Sequence, residues 1–422
     1  MTQVAPDGQT DIELLKDEVG GLMMEMGITT ISFYKGDFTA AVEAVRAQFA
    51  LVVASNVWLA GRLVKTKGGI RLRHPTSPSA TDINALITST SAADEGAFKL
   101  SPTAAYCTTC TDMYASKKVI VKNGGGLVGK NEPLIILTLS ESAAGEFALI
   151  FSMSHVIGDG RTYYEVFQML QPGAAVRTLA TARVQSFSEE MRDMCGRKEL
   201  EWADQPGAMC MYTCSMMCCA KQKPTCHAFH VDPERLAAAK AAGAKDSGVE
   251  YVTTNDILTS AFFTECDSRI GMMGMDCRGR VAGIEQDMAG NYVTALTMDP
   301  TTFATPATVR KMLTSTPHVT TSQPLPTCCG WMCGKDSANF AMATNWSSFA
   351  GGMVQLEGCE LTVHLPVQNP AYCVFDLMIP FASGVGKIGV IIWTVSSDAD
   401  GLKHALPVGD CVSTALFPSE GA

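Results

Sequence analysis

The sequence predicts an α/β protein of two domains, with mixed β-sheets and flanking helices. Three observations lead there. Segments of strand period and segments of helix period are interleaved in both halves of the chain, the pattern of sheets covered by helices. At 422 residues the chain is longer than one ordinary hydrophobic core sustains. Hydrophobic residues make up 47% and charged residues 18%, the balance of a packed globular protein and not of a disordered one.

Taken in order, Asp11 to Met26 puts Leu14, Leu15, Val19, Leu22 and Met23 on one face of a helix. Ile28 to Tyr34 reads as a strand, and Phe38 to Phe49 (FTAAVEAVRAQF) as a second amphipathic helix. Gly68-Gly69 has the composition of a hairpin turn. Leu134 to Leu139 and Phe147 to Met153 are expected to pair as a hairpin across Glu141 to Gly145. Tyr163, Val166, Phe167 and Leu170 then recur at helical spacing. Pro172 to Pro224 breaks this rhythm. Beyond it come a strand at Ala228 to Val231, an alanine-rich helix at Pro233 to Ala244, and a helix at Asp256 to Asp267 capped by Thr254 or Asn255. Thr314 to Pro326 reads as a loop. Three strands follow: Cys359 to Leu365, Val374 to Ile379 and Lys387 to Val395. No internal repeat is evident.

The formal net charge is −10 with no basic run to offset it, which argues against a nucleic-acid partner. The opening residues are polar, so no signal peptide is expected. The 16 cysteines are therefore expected as free thiols in a reducing compartment, the cytoplasm. No membrane-spanning helix is expected.

The segment that carries chemistry is His155-Val156-Ile157-Gly158-Asp159-Gly160. It lies between the apolar strand Phe147 to Met153 and the helix that begins near Tyr163. A side chain where a core strand ends can reach a cleft, and imidazole is the group best suited to take and return a proton near neutral pH. The plain reading of the same residues is a histidine that closes a strand and an Asp-Gly turn.

The His-x-x-x-Asp-Gly pattern resembles the CoA-dependent acyltransferase superfamily, which includes chloramphenicol acetyltransferase, peptide-synthetase condensation domains and the plant-type BAHD enzymes. Further segments are similar to the BAHD branch and come in its order: Leu59-Ala60-Gly61-Arg62-Leu63, Thr254-Asn255-Asp256-Ile257-Leu258, Asp276-Cys277-Arg278-Gly279-Arg280, Gly290-Asn291 and Thr344-Asn345-Trp346. The family's Asp-Phe-Gly-Trp-Gly segment is absent; Gly351 to Gly358 stands there. Ser154 occupies the place of a condensation domain's second histidine.

The resemblance implies two chloramphenicol-acetyltransferase-like domains, 1–205 and 206–422, with an active-site channel at their interface. It implies His155 as general base, acting in a ternary complex without an acyl-enzyme. Acyl-CoA would be the co-substrate donor, with no permanently bound cofactor and no metal. The acceptor would be the hydroxyl, in preference to an amine, of a small or lipophilic molecule, giving an ester. Asp159 could orient His155 directly; in the resembled family it turns away and pairs with an arginine, here Arg278 first and Arg280 second. Gly160 would permit the tight turn. Thr344 and Trp346 would contact the oxyanion or the substrate carbonyl, their plain reading being a strand residue and a buried Trp. The protein would be a monomer.

Two other functions remain open at this point. One is a non-catalytic binding or scaffold protein on the same fold. The other is a thiol- or metal-binding protein using Ala208 to His230, where Cys210, Cys214 and Cys218 share one helical face. Cys226-His227 and His230 do not complete a usual zinc spacing. The same Met- and Cys-rich run could cover a pocket, form an adaptable wall for a lipophilic acceptor, or touch a membrane surface. Cys107-x-x-Cys110 lacks a redox context. His74, His318, His364 and His404 read as structural.

Overall fold

The computed structural model describes residues 3–5, 8–94, 105–203, 224–315, 318, 321–322, 340–349, 353–370, 373 and 375–411. Its strands in chain order are β1 (Gln3–Ala5), β2 (Gln9–Glu13), β3 (Gly27–Lys35), β4 (Arg62–Thr66), β5 (Gly69–Pro75), β6 (Ile87–Thr90), β7 (Ile135–Ala143), β8 (Glu146–Ser154), β9 (Thr225–Val231), β10 (Ile270–Asp276), β11 (Val293–Met298), β12 (Phe340–Ala343), β13 (Glu360–Pro366), β14 (Asp376–Gly384), β15 (Lys387–Thr394) and β16 (Val408–Cys411). They form a small sheet β1-β2-β5-β4, a five-stranded sheet β13-β3-β8-β7-β6 and a seven-stranded sheet β11-β10-β12-β14-β15-β9-β16.

The five-stranded sheet is built around the β7–β8 hairpin, with β3 antiparallel to β8 in a register that sets Gly27 opposite Ser154. The helix Phe38–Ser55 covers it. That helix is long and apolar enough to cross a membrane by composition, but Val45, Phe49, Val52 and Val53 are packed into the core. The fifth strand of this sheet, β13, comes from the far end of the chain and pairs antiparallel with β3. After Pro366 the chain enters the seven-stranded sheet as β14.

That larger sheet is apolar on both faces, as a sheet covered on both sides must be. Along β14, Leu377, Ile379 and Phe381 face the core shared with the five-stranded sheet, while Met378 between them faces the second core. Along β15, Ile391 and Trp393 alternate in the same way with Val390 and Ile392. The second core is closed by the helices Phe187–Cys195, Thr254–Glu265 and Pro306–Thr314. The two sheets therefore meet through one continuous apolar layer.

Most strands expected from the sequence are found within a few residues of their expected ends. The helix expected over Asp11 to Met26 is not. Residues 9–13 are β2, paired with β5 so that Asp11 lies opposite Arg73 and forms an ion pair with it at 2.7 Å. A single 3₁₀ turn, Asp17–Val19, and a short helix, Gly21–Glu25, follow. Gly20-Gly21 breaks the helical run, and the sheet edge offers the backbone of residues 9–13 a better set of partners than a helix would. The helix expected from Asp256 starts at Thr254 and is capped by Thr253, not by Thr254 or Asn255, in a reciprocal capping box with Asp256. The domain boundary placed at 205–206 and the Cys/Met-rich run from Ala208 to Ala220 lie outside the described residues.

Candidate active site

β8 ends at Ser154, and His155 opens a 3₁₀ turn, His155–Ile157, held by the bond of its own backbone N–H to the Met26 carbonyl at 3.3 Å. The turn delivers Asp159 to the N-cap of the helix Gly160–Gln168, where its Oδ1 accepts from the Thr162 N–H at 2.9 Å. The strand end thus places His155 at the junction of the two sheets.

His155 lines a cavity of about 250 Å³ there, together with Asp159, Gly160, Thr344 and Trp346. The remaining wall is largely apolar, with Met23, Met26, Met275, Met342, Phe349, Phe375 and Ile379. A second, more open hollow of about 510 Å³, lined by Tyr114, Lys117, Lys122 and Asn123, shares Met26 and Gly27 with it.

Among the described residues the imidazole is held from one side only. Nδ1 lies 2.9 Å from Asn291 Oδ1. The Nδ2 group of Asn291 donates to the His155 carbonyl at 2.8 Å and to Glu18 Oε1 at 3.2 Å. A carboxylate and a carbonyl can only accept, so the Asn291 amide is oriented with its oxygen toward the ring. Nδ1 therefore carries the proton and Nε2 keeps its lone pair. Burial presses the His155 pKa below the ordinary value, outweighing the neighbouring carboxylates and Asn291 that work to raise it. The ring is neutral at pH 7, with its free nitrogen unprotonated.

Behind Asn291 stands a buried ion pair. Glu18 is fully buried, and Arg183 Nε approaches both of its oxygens at 3.0 Å. Glu18 also accepts from the Leu15 and Asn291 backbone N–H groups, while Arg183 donates to the carbonyls of Ala289 and Ile157. Gly290, at φ +134°, lets the chain pass this guanidinium: a Cβ there would lie 2.8 Å from Arg183 Nε. This is the steric reason for the Gly290-Asn291 pair.

Asp159 does not reach His155. It is buried and accepts a forked pair of bonds from Arg278, Nη1 to Oδ2 at 2.8 Å and Nη2 to Oδ1 at 3.2 Å. Burial works to raise its carboxyl, but the charge and hydrogen bonds of Arg278 prevail and hold it below the usual carboxylate range. Arg278 also donates to Asp276, Thr162 and the Gly290 and Met288 carbonyls, so it ties the catalytic-loop candidate to β10 and to the Gly290 turn. Arg280 is exposed and makes no bond to the loop, which corrects its expected role as a support. The side chain two residues earlier already fills the buried position.

The reason for glycine at 160 also differs from the expected turn. Gly160 is the first residue of a helix, and no positive φ is recorded for it. A Cβ there would sit 3.3 Å from the Phe349 ring, inside the cavity wall, so the position is small to leave room. Across the cavity, Thr344 is fixed by its backbone bond to the Met378 carbonyl. Trp346 Nε1 donates to Thr344 Oγ1 at 3.2 Å.

The sequence reading singled out His155, Asp159, Gly160, Thr344 and Trp346, and these share one cavity. It gave Glu18 and Arg183 no part and Asn291 no role. Glu18 lies at helical spacing from Leu14 and Leu15, but that spacing alone does not separate a buried carboxylate from one on a solvated helix edge.

No family model matches the chain, and no curated protein matches it in sequence. Solved structures match in shape. TRI101 of F. graminearum, complexed with coenzyme A and T-2 mycotoxin, has a TM-score of 0.56 at 14% identity, over 93% of this chain and 96% of that one. The first condensation domain of the CDA synthetase gives 0.52 at 11% identity, over 93% of each chain. Polyketide synthase associated protein 5 from Mycobacterium tuberculosis gives 0.54 at 13% identity, over 94% and 97%. The chain has their two-domain α/β fold, of the chloramphenicol-acetyltransferase type.

Proposed function

We propose that the protein is an acyl-CoA-dependent acyltransferase that moves an acyl group from a CoA thioester to the hydroxyl, in preference to the amine, of a small or lipophilic acceptor. One observation carries this reading: a neutral imidazole whose Nδ1 proton is fixed by Asn291 and whose Nε2, without a partner among the described residues, belongs to a residue lining an apolar cavity between the sheets. Coenzyme A in the TRI101 structures supports the choice of donor.

The chemistry follows from these positions. Nε2 takes the acceptor's hydroxyl proton as its oxygen attacks the thioester carbonyl. The carbonyl oxygen becomes an oxyanion. The Thr344 hydroxyl accepts from Trp346 and has its own hydrogen left to give, so it is the donor for that charge, a contribution of roughly a few kcal/mol in such sites. Trp346 spends its single N–H on Thr344 and acts by positioning it. Collapse of the intermediate breaks the C–S bond, and the thiolate takes back the proton from Nε2. No acyl-enzyme forms. Asp159 and Arg278 hold the loop and do not touch the reacting atoms. In this reading donor and acceptor reach His155 through the sheet-to-sheet cavity, which shares Met26 and Gly27 with the adjoining hollow.

The test is thiol release from acetyl-CoA and longer acyl-CoAs with a pool of alcohols, for the wild type and for His155→Ala. Acceptor-dependent release that vanishes in a folded His155→Ala protein is the expected result. No release with any donor, together with no binding of CoA by calorimetry, would overturn the reading and leave a binding protein on this fold.

A further inference from the structure

Arg161, the residue after the Asp-Gly pair, has no part in the chemistry above, yet it lines the same cavity as His155. Its surroundings are unsaturated. Nη2 pairs with Glu165 Oε1 at 2.7 Å, one turn along the helix. Glu165 also takes Arg177 on its other oxygen. Two guanidiniums thus share one carboxylate, and a positive charge is left over. Arg161 Nε is buried and, among the described residues, has no hydrogen-bond partner. Leaving a buried charged-group N–H unpaired is costly unless something else satisfies it.

We infer that Arg161 docks a carboxylate carried by one of the two substrates. The Nε–H and one Nη2 hydrogen of a guanidinium point the same way, and Nη2 has a second hydrogen beyond its contact with Glu165, so this edge is suited to the forked recognition of a planar carboxylate. The inference rests on the acyltransferase reading for its setting, but not on the base role of His155.

A phosphate of CoA fits less well for two reasons. The pantetheine arm holds the CoA phosphates many bonds from the thioester carbonyl, whereas Arg161 and His155 face one small cavity. The cavity also carries Asp276, which shares the single guanidinium of Arg278 with Asp159 and leaves a negative charge unbalanced. The excess at Arg161 and the excess at Asp276 cancel, so the wall favours a singly charged group held by local geometry over a multiply charged one drawn by a net field.

The carboxylate has two sources, a hydroxy acid as acceptor or a dicarboxylic acyl chain on CoA. Binding is measured by calorimetry, without turnover, on wild type, Arg161→Gln and Arg161→Lys. The acceptor arm compares 3-hydroxybutyrate and 4-hydroxybenzoate with their methyl esters. The donor arm compares succinyl-CoA with butyryl-CoA, and CoA with pantetheine serves as the phosphate control. In one of the first two arms the carboxylate member is expected to bind about 10-fold or more tighter than its neutral partner to the wild type. Arg161→Gln is expected to erase that preference while keeping the neutral partner's affinity, and Arg161→Lys to retain part of it. Equal binding of both members in both arms, or a loss confined to CoA over pantetheine, would overturn the inference. Should Arg161→Gln fail to fold, Arg161→Lys carries the test: an unchanged preference there argues against forked recognition. Arg161-dependent carboxylate binding without any thiol release would sink the transferase reading and leave this one standing.

Discussion

His155 and His364 are both packed round by protein, and the contrast between them separates the proposed base from a histidine that serves the core. Burial lowers both pKa values, that of His364 to about 3. His364 sits inside the five-stranded sheet on β13, with Nδ1 at 2.8 Å from Ser32 Oγ and Nε2 at 3.1 Å from Tyr164 Oη. Both nitrogens are occupied, and its ring packs against Phe167. His155, at the end of β8 and two strands away, has one nitrogen held and, among the described residues, one free beside a cavity. Low polarity keeps each ring neutral. A free lone pair at a cavity is what fits His155, and not His364, for the proposed role of base.

The largest effect expected from breaking this contrast comes from removing each ring in turn. His155→Ala is expected to lower acyl transfer by about 10²–10⁴-fold, the usual weight of a general base, with little change in unfolding temperature. His364→Ala is expected to do the reverse. It leaves Ser32 and Tyr164 without a partner in the core and opens a hole between strands, at a cost of roughly 2–4 kcal/mol of stability by urea unfolding. Turnover per folded molecule stays close to wild type. Equal losses of activity in the two folded variants would remove the distinction.

A smaller effect sharpens the comparison at the held nitrogen. Asn291→Leu takes away the acceptor that fixes the Nδ1 proton and strands Glu18 with Arg183. Transfer is expected to fall by roughly 10–100-fold through lost orientation. The ring is then free to adopt the wrong tautomer, so the loss belongs in kcat and not in the KM for acyl-CoA. A change in KM alone would show that Asn291 serves binding and not the placement of the base.

The surroundings of His155 also mark how far the sequence could be read. The strand before His155 was legible because Phe147 to Met153 is mostly apolar and its partner Leu134 to Leu139 lies one short turn away. The Asp159–Arg278 pair came within reach through resemblance, since no periodicity joins residues 119 positions apart. Glu18 was hidden for a physical reason. Asp17-Glu18 beside Leu14, Leu15 and Val19 fits a solvated helix edge equally well, and only tertiary pairing of β2 with β5 turns the segment so that Glu18 points inward. Arg183 lies in a stretch without regular period, where local pattern carries no information about burial. The idle Nε of Arg161 was equally invisible, because whether an arginine is saturated depends on partners from Glu165 and Arg177 in a particular geometry.

The smallest effect concerns protons. A histidine whose folded pKa is depressed adds stability that is complete above the unfolded value near 6.5 and is lost as pH falls toward the folded value. Between those limits the unfolded chain binds a proton that the folded chain does not, so each such group removes about 1.4 kcal/mol per pH unit. His155 and His364 have lowered values, each chiefly through burial; those of His227 and His230 are lowered too, but solvent nearby screens them and their share is smaller. Stability should therefore decline from pH 7 to pH 5, ahead of the acid loss set by Asp159, which begins only near the ordinary carboxylate range. His364→Gln isolates one of these contributions. Glutamine retains a donor and an acceptor for Ser32 and Tyr164 but cannot titrate. Its deficit against the wild type at pH 7 should shrink by about 2 kcal/mol at pH 5, since only the wild type still pays for keeping that ring neutral. A deficit that stays constant across this range would mean that His364 is protonated in the folded state, and that the doubly bonded ring is not the inert counterpart of His155.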